Sequence, residues 1–220
     1  MLLLNAIGLL CICTATAFAQ HSGHKTYFKI NPTTLVNELD LYMEQEMGTS
    51  TSLEIGMGGI YTDYWDHLLN QVDFGQIKPN LSERQYLNAK GVAGRIGLRY
   101  YVISNYSDEK RSRGTYFEPM LLFKQLWYPS DTKTIDDNDY PEKGSKRVWG
   151  LQLLIGRQHE KGKWLIDKYV GLGIKAKTFS FDNYRTSGTP IAVKNDANTT
   201  TSWLPSVHLG IKIGLVSGKH

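Results

Sequence analysis

The side chains best equipped for chemistry are Ser206 and His208, a nucleophile and a base two residues apart, with Glu44 and Glu54 as acids that could orient the imidazole. Such a pair works only when the two groups are in hydrogen-bond contact. On a strand, residues two apart share a face, but their Cα atoms are ~6.5 Å apart. This pair also lies on the face that carries the charged residues, so catalysis by it is not expected. "GLGIKA", Gly171 to Ala176, formally matches a dinucleotide fingerprint. That fingerprint needs a helix opening directly after the glycines to meet the pyrophosphate, and here the run sits inside a strand. It reads as glycine alternation on a polar face.

Metal chemistry is equally thin. Asp136, Asp137 and Asp139 could gather calcium, but the run lacks the central glycine and the closing glutamate of a calcium loop, so a solvated loop tip is expected. His21 and His24 are two imidazoles without a third ligand, a pattern of bystanders. The expectation is no catalytic residue, no cofactor and no metal. With 25 Lys plus Arg against 21 Asp plus Glu spread along 220 residues, nothing points to nucleic acid.

The elements that carry these residues are strands. In "VHLGIKIGLV", Val207, Leu209, Ile211, Ile213 and Leu215 alternate with His208, Gly210, Lys212 and Gly214. Alternation puts the aliphatics on one face of a strand, whereas on a helix they would scatter. Similar segments run over Thr26 to Ile30, Glu38 to Met47, Ser52 to Trp65, Val92 to Ile103, Thr115 to Trp127, Val148 to Gln158, Leu165 to Ser180 and Ser206 to Val216, which makes eight. No segment after residue 20 has the ~20 consecutive apolar residues of a spanning helix. The opening "MLLLNAIGLLCICTATAFAQ" reads as a signal peptide over residues 1–19, with Ala17-Phe18-Ala19 as its cleavage site. Both cysteines lie within it, so residues 20–220 are expected to fold without disulfides.

Connections alternate in length. Short turns at Gly48 to Thr51, Asn105 to Gly114 and His159 to Lys163 are interleaved with long polar segments 66–90, 128–146 and 181–201. An up-and-down barrel in an outer membrane has tight turns on one side and long loops on the other. The loop 66–90, rich in apolar residues, is expected to extend the strands or fold a short helix over the mouth.

The two faces differ sharply. One collects aliphatics such as Leu41, Ile55, Ile96, Leu98, Leu151 and Ile174 without a charge in mid-band. The other collects Glu38, Asp40, Glu44, Glu46, Glu54, Glu118 and Asp167 with Arg95, Arg99, Lys124, Lys175, Lys177 and Lys212, seven acids against six bases. Glycines fall mostly on this charged face, where a narrow interior must make room for long side chains. Aromatics form two expected girdles: Tyr61, Tyr64, Trp65, Trp127, Tyr128, Phe179 and Trp203 near the long loops, and Tyr100, Tyr101, Tyr116, Phe117 and Trp164 near the short turns. Pro119, in mid-strand, requires a bulge if no edge is free.

In "SLEIGMGGIYTDY", "GVAGRIGLRYYV", "KYVGLGIKA" and "LPSVHLGIKIG" the chain resembles the small OmpA/OmpX-like outer-membrane barrels, in the subset without known function, from about residue 26 to the end. The resemblance implies an all-β, eight-stranded antiparallel up-and-down transmembrane barrel in a bacterial outer membrane. Its partners would be outer-membrane lipid, the barrel-assembly machinery and a surface partner at loops 66–90, 128–146 and 181–201. The expected role is non-enzymatic, with the lumen closed by ion pairs. The rivals are an outer-membrane lipid-modifying enzyme and a soluble periplasmic ligand-binding barrel.

Overall fold

The computed structural model describes residues 25–48, 50–70, 81–103, 114–135, 138–186 and 192–217. The proposed signal segment, His21, His24, Asp136 and Asp137 lie outside them, and of Asp139 only the backbone is described. The chain is all-β. Eight strands follow one another around a closed antiparallel barrel: β1 Thr26–Ile30, β2 Glu38–Glu46, β3 Thr51–Ile60, β4 Lys90–Ile103, β5 Gly114–Ile135, β6 Asn138–Lys161, β7 Trp164–Thr186 and β8 Ala192–Ser217. Pairing of β1 with β8, from Thr26 opposite Ser217 to Ile30 opposite Ile213, closes the ring.

Register decides which face is which. Leu41 pairs with Met57 and Tyr42 with Gly56, so one face of β2 meets the aliphatic face of β3 while the next residue meets glycine. The aliphatics point outward: Leu209 is 74% exposed, Val207 68%, Leu172 66% and Leu151 52%. The charged residues point inward, and Asp40, Glu44, Arg99, Glu118 and Asp167 are fully buried. Period-two alternation around a closed sheet leaves no other arrangement once one face of each strand is assigned.

At one rim, the lower, strands are joined by residues 47–50, by 104–113 and by the tight turn at Gly162, whose φ of 64° lies in the left-handed region that glycine adopts without strain. The upper rim carries a short 3-10 turn, Pro32–Thr34, and two short helices, α1 Tyr64–Asn70 and α2 Glu83–Leu87. The described parts of the segments 128–146 and 181–201, expected as loops, are corrected here to paired strand: Lys133 pairs with Tyr140, and Arg185 with Val193. Residues of turn-like composition continue the ladders there through backbone pairing across each hairpin, with register shifts between Tyr128 and Asp131 and between Phe181 and Asn183. Long hairpins therefore replace long loops on the upper side.

Pro119 is accommodated without a bulge. Between β4 and β5, Gly97 pairs with Met120 and Tyr100 with Phe117, and the two positions between them drop out of the ladder with the register unchanged. A missing N–H explains an open rung. Pro205 has β7 on one side, opposite Ile174, and lies above the end of β1 on the other.

The aromatic girdles need correction as well. Trp127, Trp203, Tyr61 and Trp65 are exposed at the upper side, and Tyr100 and Trp164 at the lower. Tyr128, Phe179 and Tyr116 are instead buried in the barrel. Neighbouring residues of a strand cannot both face out, so Trp127 outside forces Tyr128 inside. No helix among the described residues is long and apolar enough to cross a membrane, which says nothing of strands.

Candidate functional site

Inward residues of all eight strands build the interior in layers. Along β2, Glu38, Asp40, Tyr42 and Glu44 are all buried, and along β4 Arg95 and Arg99 point the same way. Gly97, between the two arginines, makes room for Glu118: a Cβ there would lie 2.9 Å from the Glu118 Cγ and Cδ.

The central layer is organised by Arg99. Its Nε donates to Glu118 Oε2 at 2.9 Å, and its Nη1 to Asp167 Oδ2 at 2.8 Å, Gln158 Oε1 at 3.0 Å and Glu44 Oε2 at 3.1 Å. Its Nη2 lies 2.6 Å from Glu54 Oε2, off the hydrogen-bond direction. Lys29 pairs with Glu44, with Glu54 at 3.0 Å and with Asp167 at 3.2 Å, and Lys212 pairs with Glu54. Tyr116 and Tyr101 donate to Asp167 and Glu44 at 2.7 and 2.5 Å. The aromatic rings also face cations: Arg99 lies 4.1 Å from the Tyr116 centroid, and Lys212 4.1 Å from that of Tyr42. Three cations thus meet four carboxylates, and Glu118 Oε1 has no hydrogen-bond donor among the described residues.

Above it, Arg95 donates to Glu38 and Asp40, each at 2.6 Å, and Lys124 donates to both Glu38 oxygens at 2.7 and 2.8 Å. This layer is balanced, two against two. Charges taken from water are tolerated only when paired and hydrogen-bonded, and both conditions hold here.

At the upper rim the segment between β3 and β4 folds back over the opening. Asp66, on α1, accepts from Lys146 at 2.7 Å and Lys177 at 2.6 Å, and Asp63 accepts from Tyr128 at 2.6 Å and pairs with Lys146. On α2, Ser82 and Gln85 form a reciprocal cap, and Gln85 Nε2 donates to Pro129 O at 3.2 Å. Tyr86 meets the edge of Tyr128 at 5.7 Å within an apolar cluster with Ile60, Ala89, Ala93, Leu126 and Phe179. The helices are therefore a lid, pinned by ions and grease together. Burial alone would raise the Asp66 carboxyl pKa, yet the Lys146 and Lys177 ammonium groups hold it well below the ordinary range. For Asp63 burial wins over Lys146, and the neighbouring Asp66 charge adds to the upward shift.

Of the residues singled out in the sequence, Glu44, Glu54, Arg99, Glu118, Asp167 and Lys212 meet in the centre. Glu38, Asp40, Arg95 and Lys124 meet in the layer above. Glu46 sits at the lower rim, accepting from Tyr27 at 2.8 Å, and Lys177 belongs to the lid. Lys175 lines a cavity beneath that lid and joins none of these pairs. Sequence reasoning missed Lys29, Lys146, Asp63 and Asp66. Parity held the signal for two of them: Tyr27 and Lys29 alternate with Phe28 and Ile30, and Lys146 is in phase with Val148 and Gln152.

Ser206 and His208 do touch, at 2.5 Å from Oγ to Nε2, because both side chains lean together from one face. The same Nε2 also lies 2.5 Å from Gln152 Nε2. Glu44 and Glu54 are engaged by Arg99, Lys29 and Lys212 in the centre and do not orient the imidazole. Gly171 and Gly173 of the glycine run pack beside Leu154 and Gln152, as parts of the wall. No group of three or more metal-ligating side chains occurs among the described residues. No protein-family model, curated protein or solved structure matches this chain.

Proposed function

We propose that this chain is a non-enzymatic outer-membrane β-barrel of the OmpA/OmpX-like kind, which anchors in lipid and presents its upper hairpins and lid to the cell surface. One observation carries the reading: the outward face of a closed barrel is a continuous aliphatic band, while ions fill its inside. An exposed apolar surface of that extent suits acyl chains and is unfavourable in water. Arg157 and Lys168, two outward charges, lie opposite each other on β6 and β7 near the lower turn, where long side chains reach an interface.

Closure of the lumen follows from the same layers. Eight strands enclose an interior about wide enough for side chains, and here those side chains are tied to one another and roofed by the lid. Passage of large solutes is not part of the proposed role. The interaction surface is the extended β5–β6 and β7–β8 hairpins with α1 and α2. Heat-modifiability on a detergent gel tests the reading. A folded barrel migrates differently before and after boiling, and protein that stays monomeric and native in buffer without detergent overturns it.

A further inference from the structure

Beneath the lid lies a cavity of about 220 Å³ whose charged lining is Lys124, Lys146, Lys175 and Lys177 against Glu38, Asp63 and Asp66. Four lysines against three carboxylates leave one positive charge in excess, and its place is known. Lys124 is held by Glu38, Lys146 by Asp63 and Asp66, and Lys177 by Asp66. Lys175, half-buried on β7, makes no hydrogen bond or ion pair among the described residues. A second group in the same lining is unused: Asn37 Oδ1 is buried and accepts no hydrogen bond among the described residues.

An ammonium and a lone carbonyl oxygen lining one cavity specify their complement. The ammonium calls for anionic oxygen, where charge-assisted hydrogen bonds are strongest, and the carbonyl calls for a hydroxyl donor. We propose that this cavity binds a small oxyanion bearing a hydroxyl, of the hydrogen-phosphate class, with Lys175 as its charge partner and Asn37 as its acceptor. The bound anion cancels the excess charge. His208 does not compete, since its Nε2 is engaged with Ser206 and Gln152. The cavity is also flanked by Thr33 and Thr34, at the seam where β1 ends and the 3-10 turn packs against β8. A phosphate could arrive free in solution through the rim or as the headgroup of a lipid at that seam.

The inference rests on the closed barrel and its lid, and it holds whether or not the outer face meets lipid. Its test is calorimetric titration of folded protein in neutral detergent with inorganic phosphate, circular dichroism confirming the fold of each variant. Saturable binding is expected, weakened about tenfold or more in Lys175→Gln and largely kept in Lys175→Arg. No saturable heat from the wild type, or equal affinity in Lys175→Gln, overturns the proposal. Repeating the titration in vesicles of phosphatidylcholine with and without phosphatidic acid separates the sources. Loss of phosphate binding only with phosphatidic acid assigns the site to a headgroup, and unchanged binding assigns it to the free anion.

Discussion

Arg99 and Glu118 are joined by a hydrogen bond of 2.9 Å from Nε to Oε2, and both side chains are fully buried. The rest of the same guanidinium reaches Glu44, Glu54 and Asp167, so a single residue contacts all four central acids. Replacing Arg99 with Met leaves those carboxylates facing Lys29 and Lys212 alone. Removing one partner of a buried ion pair costs about 3–5 kcal/mol. Arg99→Met is expected to lower unfolding stability in urea by about that amount, and Arg99→Lys by less, because the ammonium keeps the positive charge although it cannot reproduce the planar fork.

Glycine position, not glycine number, matters inside the barrel. At Gly97 an added Cβ would press on the Glu118 Cγ and Cδ at 2.9 Å, and Glu118 is tied to Arg99. At Gly150 the nearest atoms to such a Cβ are 3.5 Å away. Gly97→Ala is therefore expected to destabilise by about 1–3 kcal/mol, and Gly150→Ala to stay within about 0.5 kcal/mol of wild type in the same urea assay. Equal effects would contradict the packing described.

The lid has a defined pH response. Asp66 is held below its ordinary value of 3.8, so its contribution is present above that value and is lost as pH falls through its lower, folded-state value. Asp63 has the opposite sign: its raised value favours the protonated form, so its ionisation opposes docking as pH rises. Trp65 lies on α1 beside Asp66, so with the other four tryptophans replaced by Phe its fluorescence serves as the readout of docking. The signal is expected to stay native on acidification through the ordinary carboxylate range and to change only in stronger acid. In Asp66→Asn the undocked signal is expected already near neutrality.

Much of the fold was legible because the alternation is strict. Every large aliphatic from Val207 to Leu215 is exposed on the barrel exterior, as the pattern of that strand required. Two kinds of residue were not legible. The described parts of segments 128–146 and 181–201 pair as strands although their composition is that of turns and carries no alternation of aliphatics. Asp63 and Asp66 lie outside any strand, and their meeting with Lys146 and Lys177 depends on how the segment after β3 folds back. Lys29, by contrast, was in reach of parity, since Tyr27 and Lys29 alternate with Phe28 and Ile30, and its pairing with both β2 and β8 places it inside.

The proposed closed lumen predicts electrical silence. Reconstituted into planar bilayers, the protein is expected to give no steady conductance, because the layers led by Arg99 and Arg95 are completed by the lid. Stable single-channel steps would show that the ion pairs leave a continuous water path.

The central claim is that the aliphatic exterior contacts acyl chains. Trp149 sits in that band, 57% exposed and paired with Phe123 and Ala176. With the other four of the five tryptophans replaced by Phe, lipids brominated along their chains should strongly quench Trp149 fluorescence in refolded vesicles. Fluorescence indifferent to brominated lipid, in protein that is folded, would contradict the account.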